Sequence, residues 1–160
     1  MPNGYVHNRF TIILGVLTIP ASLLFVDPQT AMWYGAGVAL GIIMTPDLDQ
    51  AEIHSVTPQQ MVGNALGEFA ENIYRVIWFP YGLFISHRSW VSHFPVVGTA
   101  IRLLYLYVLY WCACWTLRIE PIPLQVPIPL VVGLVIADTQ HFILDQLPFF
   151  RGEKKQRKKG

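Results

Sequence analysis

The chain has 160 residues, which suits a single domain, yet 53% of it is hydrophobic and only 13% charged. A soluble domain carries roughly a quarter charged residues, so this composition excludes both an ordinary water-soluble globule and a disordered chain. The net charge of +1 gives no basis for binding nucleic acid. The two cysteines, Cys112 and Cys114, build neither a disulfide framework nor a zinc ribbon.

A hydrocarbon core of about 30 Å calls for roughly 20 apolar residues of helix. The first such stretch lies between Arg9 and Asp27 and carries no charge. It is read as a span rather than a secretory signal peptide, because no small-x-small cleavage site leads into a soluble sequence. The second lies between Asp27 and Asp47, where Gly37 and Gly41 form a GxxxG pair that permits close helix contact. A loop from Asp47 to His93 follows. In it Glu68, Glu71, Asn72 and Arg75 fall at helical spacing, as in an amphipathic helix lying on a membrane. The apolar piece from Ile73 to Ile85 is 13 residues long, interrupted by Arg75 and Pro80, and too short to cross.

The third span is expected from Phe94 to Leu117, with Arg102 as its one charge. A proline-rich entry from Pro121 delays the fourth until Pro127 or Pro129, and it ends before Pro148. The expected fold is therefore all-α: an integral membrane four-helix bundle with an interfacial or re-entrant segment between the second and third spans. Residues 1–150 form one transmembrane metal-binding domain and 151–160 a basic cytoplasmic tail. Nine of the eleven Lys and Arg then fall on one face, which predicts a multi-pass protein of the bacterial inner membrane with both termini cytoplasmic.

This layout brings the polar residues together. His7 precedes the first span, Asp47 and Asp49 follow the second, His87 and His93 precede the third, and Asp138, His141 and Asp145 close the fourth. In an up-down bundle all four ends lie on the cytoplasmic side. Asp138, His141 and Asp145 recur at i, i+3 and i+7, one stripe of a helix, as a metal site in a bundle core requires. An ionisable residue inside a membrane costs about 2.5 kcal/mol or more at the helix centre, so it marks a functional site by default. The plainer reading is that the stripe bonds to neighbouring helices, or that Asp145 marks the water boundary. Asp47 and Asp49 oppose the helix dipole, which a cation would relieve, although Asp also begins loops for its turn chemistry. Arg88 offers a planar fork for phosphate or carboxylate, or for a lipid headgroup.

Mixed imidazole and carboxylate ligands suit Zn, Mn or Fe better than Ca. Their number exceeds the needs of one tetrahedral ion, and two-metal centres hydrolyse phosphoesters. No GxSxG, HExxH, P-loop or GxGxxG motif competes.

The opening Met1-Pro2-Asn3-Gly4-Tyr5-Val6-His7-Asn8-Arg9-Phe10-Thr11 and the blocks Pro46-Asp47-Leu48-Asp49, His87-Arg88-Ser89-Trp90-Val91-Ser92-His93 and Asp138-Thr139-Gln140-His141 resemble a family of metal-binding bacterial membrane proteins of unknown function. The likeness runs across nearly the whole chain. The family is similar in layout to YdjM-type membrane-bound metal-dependent hydrolases. By position, the resemblance implies His7, Asp47, Asp49, His87, His93, Asp138 and His141 as metal ligands. The chain departs from the pattern at Asn8, where the family often has aspartate. The expected function is a membrane-embedded protein with a cytoplasm-facing His/Asp site for one or two divalent ions. As a hydrolase it would act on a phosphorylated or lipid-linked substrate, with Arg88 steadying the phosphate. A non-enzymatic assembly protein with a structural metal and a metal or proton transporter are the other readings.

Overall fold

A computed structural model describes residues 4–50, 57–85 and 90–147. They form α1 (Gly4–Ser22), α2 (Pro28–Ile43), a 3₁₀ turn (Pro46–Gln50), α3 (Thr57–Leu66), α4 (Glu68–Phe84), the short α5 (Trp90–His93), α6 (Pro95–Leu117) and α7 (Ile128–Gln146). The all-α expectation holds, with no strand among the described residues.

The turn from α1 to α2 is closed by Asp27. Its Oδ1 accepts the backbone N–H groups of Gln29 and Thr30, each at 3.0 Å, and its Oδ2 accepts the Thr30 hydroxyl at 2.6 Å. Those bonds, the Thr30 hydroxyl first, hold the Asp27 carboxyl below its ordinary range. Pro28 then opens α2 where a missing N–H costs nothing.

The closest helix packing is between α2 and α7. A Cβ on Gly37 would run into the Leu130 carbonyl, one on Gly133 into the Tyr34 carbonyl, and one on Gly41 into the Ala137 methyl. Backbone therefore meets backbone along this seam, as small residues permit. The seam matters for function because it sets the chain beyond the end of α2, where Asp47 stands, beside the last turns of α7. On the other side of α2, Gly35 faces Ile19 of α1, and the Tyr34 hydroxyl donates to the Thr18 oxygen at 2.9 Å.

α3 and α4 form a hairpin hinged at Gly67, whose φ of 90° favours glycine. The Gln59 amide donates to Glu71 at 3.0 Å across it, and Asn8 donates to the Met61 sulfur, tying α3 to α1. The inner side of α4 supplies Trp78 and Tyr81 to a buried cluster with Met44, Leu48 and Leu134.

Four spans were expected; two described helices, α6 and α7, are long and apolar enough to cross a membrane. α2 has 16 residues, about 24 Å of helix, because it stops at its Met44 cap, ahead of the turn that begins at Pro46. α1 has 19 residues, but its second turn holds His7, Asn8 and Arg9. The outer surface is nonetheless apolar in places: Leu24 and Phe25 in the α1–α2 turn and Trp115 on α6 are each at least 80% exposed.

Candidate metal centre

His7 lies in the second turn of α1, Asp47 in the 3₁₀ turn after α2, His93 at the end of α5, and His141 and Asp145 one turn apart on α7. The structure brings these five to one end of the molecule. His7 Nε2 is 3.2 Å from Asp145 Oδ1, and His141 Nε2 is 3.7 Å from Asp145 Oδ2. The same His141 nitrogen is 3.6 Å from Asp47 Oδ2, while His93 Nε2 is 3.9 Å from Asp47 Oδ1. The His7 and His141 rings stack with centroids 3.7 Å apart and planes 11° from parallel. His93 meets His141 edge-on at 6.5 Å.

Two observations show that these groups fit a cation. His141 Nε2 is buried and has no hydrogen-bond partner among the described residues, although two carboxylate oxygens stand within 3.7 Å. A buried polar atom left this way calls for an unseen partner. The spacing also fits: ligands about 2.0–2.1 Å from a tetrahedral ion lie roughly 3.3 Å from one another. One ligand atom each from His7, His141 and Asp145 fall mutually within 4.8 Å. The carboxylates of Asp47 and Asp145 each offer separate oxygens to two imidazoles, an arrangement that one or two ions can use. The pocket is dry on the His7 and His141 side, at 3% and 5% side-chain exposure, and wetter at Asp47, at 22%.

Asp138 departs from the expected ligand set. Its Oδ2 accepts the Thr99 hydroxyl and forms an ion pair with the Arg102 guanidinium of α6. All three residues are buried. The reason lies in helical phase. Asp138 sits one turn before His141 on the α7 stripe, level with the one charged residue of α6, and a buried charge takes the nearest counter-charge. The side chain of Asp49, and the residues His87 and Arg88, lie outside the described residues, as does the tail 151–160.

Asp145 belongs to the cluster although the expected ligand set omits it. The signal was its position four residues after His141, which puts both on one face. Thr11 and Gln140 carried no such signal. Thr11 Oγ1 is 2.8 Å from Gln140 Oε1, linking α1 to α7 beside the two stacked imidazoles.

Comparison with known proteins gives a family. The family described as "Uncharacterized metal-binding protein (DUF2227)" matches residues 2–155. An uncharacterized protein of Aquifex aeolicus (strain VF5) is 32% identical over 74 residues, 46% of this chain and 43% of that protein. The chain thus matches less than half the length of that relative. No solved structure matches significantly.

Proposed function

The chain belongs to this family of uncharacterized metal-binding proteins, and on that footing we propose that it is a membrane-embedded metal-dependent phosphoester hydrolase. It crosses the bacterial inner membrane four times with both termini in the cytoplasm. It holds one or two divalent ions, Zn, Mn or Fe, at the cytoplasmic end. α6 and α7 are two of the crossings; α1 and α2, packed against that pair, are the others.

His7, His141, Asp145 and Asp47 hold the metal, and His93 reaches it through the second oxygen of Asp47. His87 and Asp49 add ligands, and Arg88 steadies the phosphate of the substrate. A bound ion supplies Lewis acidity and a nucleophile at neutral pH. The protein's part is to orient the ligands and keep the deep side dry. The observation that carries the reading is His141 Nε2, buried between two carboxylate oxygens at 3.6 and 3.7 Å with no hydrogen bond among the described residues.

The test is turnover of bis(p-nitrophenyl) phosphate and p-nitrophenyl phosphate by detergent-purified protein loaded with Zn, Mn or Fe. Release of p-nitrophenol that disappears in His141→Ala supports the proposal. A folded, metal-loaded protein that hydrolyses neither favours the second reading, a structural metal in a membrane assembly protein. That reading draws on the burial of His7 and His141, whose side chains are 3% and 5% exposed.

A further inference from the structure

α4 wears its apolar face outward. Phe69, Ile73, Val76, Leu83 and Phe84 are 79%, 45%, 71%, 56% and 84% exposed. At 3.6 residues per turn these five fall within about 100° of arc. Tyr74, Trp78 and Tyr81 occupy the opposite side: the Tyr74 hydroxyl donates to the Ile43 carbonyl, and Trp78 and Tyr81 pack on Tyr105. In water this orientation would be inverted.

The path of α4 sets its depth. It begins at the metal end, where Glu71 bonds to Gln59 and α3 reaches Asn8, the neighbour of His7. By Ile77 its carbonyl accepts the hydroxyl of Tyr105, which lies ten residues into α6, about 15 Å along that helix. By His93 the chain is back at the metal end, beside Asp47. The polar residues Glu68, Glu71, Asn72 and Arg75 stop before Val76, and the apolar remainder to Phe84 is about 13 Å long. Both lengths are near half of a hydrocarbon core of about 30 Å.

We propose that α4 is a re-entrant half-helix, seated with its Phe69–Phe84 face among the acyl chains of the leaflet at the metal end, and that this places the metal centre at headgroup depth for the phosphate ester of a membrane lipid. Lipid, rather than a second copy of the chain, is the occupant because the outward face of α6 is apolar too. There Leu104, Val108 and Trp111 are exposed on a helix able to cross a bilayer. The depth stands on geometry alone, and the substrate class rests on the hydrolase reading.

The experiment places a nitroxide on single cysteines at Phe69, Arg75, Val76 and Phe84, with Cys112 and Cys114 replaced by Ser, in nanodiscs containing phosphatidylglycerol. All four positions are exposed, so the labels do not disturb the core. Collision with oxygen should exceed collision with a water-soluble nickel chelate several-fold at Val76 and Phe84, most at Phe84, with the order reversed at Arg75. Nickel access at Phe84 equal to that at Arg75 overturns the proposal. So does exclusion of both reagents at Val76 and Phe84, which would mean a protein cover. The metal-loaded protein is then given phosphatidic acid in nanodiscs and glycerol 3-phosphate in solution. A kcat/KM at least tenfold higher on the lipid supports the substrate class, and equal or lower values overturn it. No turnover of either substrate refutes the hydrolase reading, while the labels still decide the depth.

Discussion

His7 and His141 come from opposite ends of the sequence, yet their rings stack 3.7 Å apart and turn Nε2 to different oxygens of one carboxylate, Asp145. Two neutral imidazoles gain little from such a stack in water. With a cation between them and the carboxylate, the arrangement is a ligand set.

Removing the metal should therefore destabilise the protein. A ligand that binds only the folded state adds about 2.7 kcal/mol when present at 100 times its dissociation constant. Chelation by EDTA should lower the thermal midpoint measured in detergent, and Zn or Mn should restore it. An unchanged midpoint in protein that held metal beforehand would count against a shared ion.

The Arg102–Asp138 pair should behave differently from the cluster. Both side chains are at most 2% exposed, and removing one partner of a buried pair typically costs about 3–5 kcal/mol. Arg102→Met or Asp138→Asn should lose stability on that scale. Joining Arg102→Met with Asp138→Leu should recover most of it, because neither charge is left alone. Chemical denaturation of the three variants measures this, and additive losses in the double variant would show that the pair is not coupled.

The bundle's polar end was legible because termini of apolar runs are easy to place. His7, Asp47, His93 and His141 flank such runs, and up-down connectivity alone gathers them. Gly37 and Gly41 likewise announced a close helix contact, found against Leu130 and Ala137 of α7. The role of Asp138 was not legible. A carboxylate on the same stripe as a histidine reads as a ligand until the phase of a different helix brings Arg102 to it, and sequence spacing says nothing of phase between helices. Asp145 is legible as one of the polar residues on the His141 stripe, yet it falls outside the ligand set that the family resemblance implies. The number of crossings is not legible from uncharged runs alone: two described helices are long and apolar enough to cross, and the run ahead of Asp47 includes the cap at Met44 and the turn at Pro46, which α2 does not use.

The seam between α2 and α7 should be intolerant of bulk. Gly133→Ala and Gly37→Ala each add a Cβ against a carbonyl of the facing helix. Overpacking of this kind costs about 1–3 kcal/mol. Because the seam sets Asp47 beside α7, metal affinity should fall with stability, read by thermal denaturation and metal titration on the same samples. Full stability in both variants would contradict the backbone contact.

The proposed four-crossing topology makes opposite predictions for two exposed positions. Gln29 begins α2 at the end away from the metal, and Asn64 lies on α3 at the metal end. With Cys112 and Cys114 replaced by Ser, a membrane-impermeant maleimide should label Gln29→Cys in intact cells, and Asn64→Cys only in inverted vesicles. Labelling of both from one side would break the topology.

The most direct measurement is elemental analysis of detergent-purified protein, comparing the wild type with Asp145→Asn and Asp138→Asn. The wild type should carry about one or two equivalents of Zn, Mn or Fe per chain. Asp138→Asn, where it remains folded, should retain them, and Asp145→Asn should lose them. Wild-type protein that is folded but takes up none of these metals, or metal held equally by Asp145→Asn, would contradict a centre built on His7, His141 and Asp145.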